Sequence, residues 1–228
     1  MGTKDQTGYQ AQRESMVREQ IERRGIQDQR VLHAMRMVPR HLFVPPDQQQ
    51  WAYSDGALRL ELGQTISQPY IVALMTALLE LQGPETVLEI GTGSGYQAAV
   101  LAEICAQVHS IERHPALAEG ARERLVNLGY DNVQVHVGDG SQGLPALGPY
   151  DGILVTAAAP KVPRLLREQL AEGGRLVLPI GGKYSQMLER WTRRGTDFKQ
   201  ETHGAVAFVP LLGSEAWDEK DWKKSWPW

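Results

Sequence analysis

The chain has 228 residues, with 42% hydrophobic and 22% charged side chains, enough apolar content to bury a full core. A net charge of -3 excludes a general electrostatic affinity for the nucleic-acid backbone, and a single cysteine, Cys105, excludes an intramolecular disulfide. The polar N-terminus lacks the apolar core of a signal peptide, and the longest apolar stretch, 71–81, is too short to span a bilayer. A cytoplasmic protein with neither nucleic-acid nor membrane partner is expected, and a monomer is the simpler expectation for its oligomeric state.

In chain order, residues 1–13 are polar and read as a loose end. Residues 14–24 read as a helix that Gly25 stops, with Arg13, Arg18, Arg23 and Arg24 on a solvated face. Asp28 is placed to cap a second helix, which the Val38-Pro39 pair ends. An irregular link follows, and 51–62 has no clear pattern. Pro69 opens a helix with apolar Ile71, Leu74, Met75, Leu78 and Leu79 spaced three and four apart, closed by Gly83-Pro84.

Beyond this point short apolar runs alternate with helical patterns. Strands are predicted at 86–90, 108–112, 133–137, 150–156 and 175–180, and helices at 96–106, 115–128 and 162–170. That alternation predicts an α/β fold with a doubly wound, mostly parallel, Rossmann-like sheet. Two further strand-like runs, 186–192 and 205–212, without intervening helices, predict antiparallel strands at its end. The chain divides into an N-terminal helical and substrate-loop extension (1–82), an α/β core (83–212) and a tryptophan-rich tail (213–228).

The stretch Glu89-Ile90-Gly91-Thr92-Gly93-Ser94-Gly95-Tyr96 joins the first parallel strand to a helix. Open α/β sheets bind ligands at that strand end, and glycines there let the backbone turn tightly and approach a ligand closely. Glu112 ends the next strand, about twenty residues on, where an acid accepts hydrogen bonds from ribose hydroxyls. A dinucleotide fingerprint requires glycine at position 96, and Tyr96 is there. Glu89 with Gly91, Gly93 and Gly95 instead resembles the E/D-x-G-x-G-x-G pattern of class I methyltransferases, which implies S-adenosylmethionine as cofactor. That molecule carries an amino-acid tail, a sulfonium and an adenosine. Glu89 and the loop backbone are expected to serve the charged amino end and Glu112 the ribose. Asp139, in Gly138-Asp139-Gly140 after the third strand, is expected to receive the adenine amino group. Thr92, Ser94, Gly140 and Thr156 complete the expected cofactor contacts.

Two other stretches, Gly63-Gln64-Thr65-Ile66-Ser67-Gln68-Pro69-Tyr70 and Val206-Ala207-Phe208-Val209-Pro210-Leu211, narrow the resemblance. With the glycine loop and Gly138-Asp139-Gly140 they resemble the protein-L-isoaspartate O-methyltransferase family over residues 14–212. The family usually reads Leu-Pro-Ile-Gly before this first motif, where this chain has Leu58-Arg59-Leu60-Glu61. The resemblance implies methylation of the free α-carboxylate of L-isoaspartyl residues in peptides and damaged proteins, initiating repair through a succinimide. It also implies Ser67 as the active-site residue, its hydroxyl holding the acceptor carboxylate. Ser67 stands equally where it would cap the helix opening at Pro69. Gln64, Thr65 and Ile66 are expected on the substrate side. Ala207 and Val209 offer an edge to the substrate backbone, a core strand being the plainer reading of the same run.

An ionised carboxylate acceptor needs no general base, in keeping with the lack of any Ser-His-Asp or Cys-His set. His33, His41, His109, His114, His136 and His203 have no ligand spacing, so no metal site is expected. Cys105 reads as buried packing. Methylation of a nucleic-acid amino group commonly uses Asp/Asn-Pro-Pro-aromatic after the fourth strand; here Thr156-Ala157-Ala158-Ala159-Pro160 has no polar clamp. A non-catalytic module that keeps the cofactor fold is the rival from another class, and the complete motif around Ser67 argues against it.

Overall fold

A computed structural model describes residues 3–222. Helix α1 (Thr3–Met16) runs into a π-helical turn, Val17–Ile21, and a 3-10 turn, Glu22–Arg24. Gly25 then takes the left-handed conformation (φ 96°) and ends the run. The expected loose end is thus helical from Thr3. Side-chain docking explains it: the Tyr9 ring stacks on His41 at 4.0 Å, and His41 Nδ1 lies 2.7 Å from the Tyr53 hydroxyl. Among the arginines expected on a solvated face, Arg24 stacks on Tyr70 with its guanidinium carbon 3.6 Å from the ring centre. In α2 (Gln29–Met37) the Asp28 carboxylate accepts from the N–H groups of Arg30 and Val31, as its capping position predicts.

The link contains 3-10 turns at Arg40–Phe43 and Pro46–Trp51. Residues 51–62 resolve into the end of that turn, a two-residue strand β1 (Leu58–Arg59) and a 3-10 turn, Glu61–Gly63. β1 pairs antiparallel with β2 (Thr65–Ile66), Leu58 opposite Ile66. Helix α3 (Pro69–Leu78) begins at Pro69 as expected, but its N-cap is Gln68, and no side chain caps it. The capping role for Ser67 is therefore not used. The helix ends at Leu78 rather than at Gly83-Pro84, because Glu80 turns left-handed (φ 51°). Its buried face is Val72, Ala73, Met75, Thr76 and Leu78, so Ile71 and Leu74 are only partly covered.

The core follows as β3 (Thr86–Ile90), α4 (Tyr96–Ala102), β4 (Gln107–Glu112), α5 (Pro115–Asn127), β5 (Val133–Val137), β6 (Tyr150–Val155), α6 (Arg164–Glu168), β7 (Leu170–Gly181), β8 (Gln186–Arg194) and β9 (Asp197–Val206), with α7 (Glu219–Trp222) after it. The sheet order is β5-β4-β3-β6-β7-β8-β9; the first five strands are parallel and the last two antiparallel. This is the doubly wound, mostly parallel sheet of the class I methyltransferase fold. β3 alternates between two apolar clusters: Val87 faces one shared with α2, α3 and α4, and Leu88 and Ile90 face one shared with α6. The expected strand 205–212 is corrected. The sheet ends at Val206, and its last strand is the more polar Asp197–Val206. Residues 207–212 leave it and bridge Ala158 through Pro210. Among the described residues no strand pairs with the outer edge of β9, which carries exposed Asp197 and Lys199 and half-buried Glu201.

Cys105 is buried, and its thiol donates to Leu101 O at 3.2 Å; burial pushes its pKa up to about 12. No helix among the described residues is long and apolar enough to cross a membrane. Of the tail tryptophans, Trp226 and Trp228 lie outside the described residues.

Candidate active site

The strand order reverses direction at β3, which has β4 on one side and β6 on the other. Chain leaving β3 and β6 therefore goes opposite ways and leaves a crevice above the strand ends. The glycine loop lies there. Gly91, Gly93 and Gly95 have φ of 97°, 52° and 88°, a conformation that L side chains rarely adopt. A Cβ at Gly91 would run into the Thr156 hydroxyl. Thr156 Oγ1 donates to Gly91 O at 2.7 Å, and Arg124 from α5 donates to Ser94 O at 2.7 Å. The loop is thus fixed from β6 on one side and α5 on the other.

Glu112 is buried at the end of β4. Its carboxylate accepts from Gly93 N–H at 3.0 Å and His114 N–H at 2.9 Å, one oxygen each. Each oxygen keeps a lone pair for a ligand hydroxyl. Glu89 lies deeper and is fully buried. One oxygen accepts from Ser110 Oγ, which is 2.5 Å from Thr92 Oγ1; the other has no partner. Burial, opposed by the Ser110 hydrogen bond and aided by nearby Glu112, pushes the Glu89 pKa up to about 8. A fully buried carboxyl oxygen without a donor suits a site that a cationic or N–H-bearing ligand completes.

A cleft opens above these strand ends. Its walls include Gln64 and Thr65, Gly91 and Gly93, Glu112, Gly140, Thr156 and Val209. A narrower recess adjoins it and shares Thr65, Gly91, Gly93 and Thr156. Ile66, Ser67, Thr92 and Ser94 line that recess. The structure therefore brings most of the sequence-predicted residues to one place. Gly95 sits behind, its Cα toward Leu125, and serves the turn into α4.

Besides Gly95, three predicted residues line neither space: Glu89, buried beneath the loop, Asp139 and Ala207. Asp139 does not line the cleft. Its carboxylate accepts from Ser141 N–H and Oγ, Gln142 Nε2, and Ser214 N–H and Oγ, at 2.7–3.0 Å. Burial alone would raise its pKa, but these donors hold it down at about 2. With five protein donors, this carboxylate is bonded into the turn after β5 rather than turned to the cleft. Its neighbour Gly140 forms the wall instead, packed so closely that a Cβ would meet Ile90 Cγ2. Ala207 is exposed and outside the cleft, although Val209 lines it.

Sequence reading missed Ser110, Arg113, His114 and Leu212. Ser110 was legible in principle, because it lies two residues before Glu112 and so shares its face of β4. Arg113 and His114 directly follow the acid at the strand end.

The sequence profile of the protein-L-isoaspartate(D-aspartate) O-methyltransferase family matches residues 11–216. The chain is 58% identical over 195 residues to a protein-L-isoaspartate O-methyltransferase of Roseiflexus castenholzii, covering 86% of this chain and 89% of that one. It is 53% identical over 206 residues to one from Methanoculleus marisnigri, covering 90% and 94%. Among solved structures it superposes on a protein-L-isoaspartate O-methyltransferase with a TM-score of 0.80 at 30% identity, covering 90% of this chain and 67% of that one. A Plasmodium falciparum enzyme of the same name, in complex with S-adenosyl-L-homocysteine, superposes with a TM-score of 0.75 at 27% identity, covering 88% and 98%. A glycine loop with its buried acids, a serine recess beside it and a family match across most of the chain lead to one conclusion: this chain belongs to the protein-L-isoaspartate(D-aspartate) O-methyltransferase family.

Proposed function

We infer that this chain is a protein-L-isoaspartate O-methyltransferase: it transfers a methyl group from S-adenosylmethionine to the free α-carboxylate of L-isoaspartyl residues in peptides and damaged proteins. The observation that carries this reading is the junction of the cofactor cleft with the Ser67 recess through Thr65, Gly91, Gly93 and Thr156. A donor held along the glycine loop and an acceptor held by the Gln64–Ser67 segment would meet there.

S-adenosylmethionine supplies an activated methyl on a sulfonium. Glu112 takes the ribose hydroxyls, and the loop backbone with Glu89 takes the amino end. Gly140 and Leu212 flank the adenine. On the other side Ser67 donates to the acceptor carboxylate, with Gln64, Thr65 and Ile66 around it and Val209 offering backbone to the peptide. The acceptor oxygen is already anionic, so no residue has to remove a proton. The new C–O bond forms as the S–C bond breaks and the electron pair stays on sulfur. The residues therefore contribute alignment and exclusion of water, which account for large rate factors. The ester then loses methanol as the neighbouring amide nitrogen closes a succinimide, and part of this reopens as aspartate. In this reading residues 1–82 serve the acceptor, 83–212 hold the cofactor, and the enzyme works in the cytoplasm.

An isoaspartyl carboxylate sits one bond nearer the backbone than an aspartyl one. Matched isoaspartyl and aspartyl peptides are the test. Methyl transfer to the first alone, followed by methanol release at neutral pH, is expected; equal labelling of both would overturn the substrate assignment.

A further inference from the structure

Methyl-transfer chemistry leaves the segment after Leu212 without a task, yet that segment follows directly on residues that line the cofactor cleft. Leu211, Leu212 and Arg113 line the cleft beside Glu112 and Gly140. Past Leu212 the chain closes on itself. Trp217 N–H donates to Leu211 O at 3.0 Å, and Gly213 N–H donates back to Trp217 O at 3.2 Å. This closed loop stands on the turn after β5. Ser214 gives both its N–H and its hydroxyl to Asp139 Oδ2, at 2.9 and 3.0 Å, and Glu215 N–H donates to Ser141 Oγ at 3.1 Å. The fit is tight: a Cβ at Gly213 would overlap the Asp139 carboxylate and the Ser141 hydroxyl. Past the loop, Glu219 reaches the other strand end, with its Oε2 3.6 Å from Arg113 Nη2.

The segment is therefore tied to both strand ends that flank the ribose-binding acid: Asp139 and Ser141 after β5, and Arg113 after β4. The Asp139 tie is made of charge-assisted hydrogen bonds, the strong kind. The Arg113 pair is half-exposed and contributes little to global stability. Its effect is local, because it fixes a side chain that forms part of the cleft wall. A ligand entering or leaving at that end must pass groups that these ties hold in place.

We propose that residues 213–219 form a clasp over the adenine end of the cofactor cleft, with Ser214 and Glu219 as positioning residues that set how tightly the cofactor is held and how fast the demethylated product leaves. The proposal rests on the reading that this cleft holds S-adenosylmethionine. Product release commonly limits turnover in enzymes that close over their ligands, so the clasp acts on the established reaction without touching the reacting atoms.

The test uses the full chain and labelled S-adenosylhomocysteine chased with unlabelled ligand. The double variant Ser214→Ala/Glu219→Arg removes the Ser214 hydroxyl bond to Asp139, leaving the N–H bond, and turns the Arg113 pair repulsive. Release is expected to quicken by about tenfold, and KM for S-adenosylmethionine to rise by a similar factor. KM for an isoaspartyl peptide and the urea midpoint should stay unchanged. Adding Arg113→Glu to Glu219→Arg restores an opposite-charge pair and should slow release again. Wild-type release rates in the double variant would overturn the clasp. So would equal rises in both KM values with a lowered urea midpoint, which would mark a merely structural role. Failure of the wild-type chain to bind S-adenosylhomocysteine at all would instead overturn the cofactor reading, and the clasp with it.

Discussion

Glu89 shows how a single carboxyl couples folding to ligand binding. In the ligand-free fold its pKa is near 8, raised by burial and by the adjacent Glu112 against the Ser110 hydrogen bond. A group whose folded pKa lies above its unfolded value favours folding most below the unfolded value, about 4.5. That advantage is lost as pH rises toward 8. The ligand-free enzyme should therefore lose stability between about pH 4.5 and 8 on account of this residue, and Glu89→Gln should flatten that decline in urea midpoints. A cationic amino end bound against Glu89 would reverse the balance and drive the proton off. Calorimetry of S-adenosylhomocysteine binding near pH 7 in buffers of different ionisation enthalpy should report proton release, abolished in Glu89→Gln. Ser67 makes the opposite case. It caps nothing, so Ser67→Ala should change stability by less than about 0.5 kcal/mol. If its hydroxyl holds the acceptor carboxylate, kcat/KM should fall about 10- to 100-fold, the worth of a hydrogen bond to a charged group. Rate and melting temperature measured on one sample separate the two effects. Residue identity alone does not show where Asp139 turns: an acid after the third strand looks the same in sequence whether adenine or Ser214 supplies its donors. The two Ser214 donors come from far along the chain and no local pattern announces them, whereas the other three belong to Ser141 and Gln142, two and three residues on.

At the scale of elements, the glycine loop works because backbone from one element nearly touches side chains of another. Gly140 against Ile90 is the sharpest example. Gly140→Ala should cost about 1–3 kcal/mol by overpacking. In the background of Ile90→Ala, which removes the opposing methyl, the same change should cost much less, and a double-mutant cycle in urea would measure the coupling. The strands and helices between 86 and 137 were legible because apolar runs, glycines and prolines punctuate them in step. Elsewhere tertiary contacts decided. Polar α1 is held by Tyr9 on His41, a contact invisible to periodicity. Asp197–Val206 lies at the edge of the sheet and carries too little apolar alternation to stand out, whereas the apolar 207–212 looks like a strand and instead crosses to Ala158. The serine recess was legible only through a motif, because it joins β2 to a loop more than twenty residues further on.

Across the whole molecule, ligand binding and folding are coupled, since the cleft residues Ile90, Ile111, Ala157 and Leu211 belong to one of the two apolar clusters that hold the sheet. A ligand that binds only the folded chain adds about 2.7 kcal/mol at 100 times its Kd. For a chain of this size that is a rise in Tm of roughly 5–10 °C. S-adenosylhomocysteine should give such a shift in scanning calorimetry, and NAD at equal concentration none, because Tyr96 stands where a dinucleotide loop needs glycine. Remote ion pairs contribute to the same unity: Arg190 on β8 pairs with Glu80 after α3 at 2.6 Å and with Glu201 on β9 at 2.7 Å. The last strand, whose outer edge no described strand pairs, matters for the company a repair enzyme keeps. Its clients are aged polypeptides, many partly unfolded and ready to add a strand to any open sheet. Asp197, Lys199 and Glu201 place charges of both signs along the edge where such an addition would start. Those charges make the long edge of β9 unattractive to an added strand, which keeps such chains from docking there unspecifically.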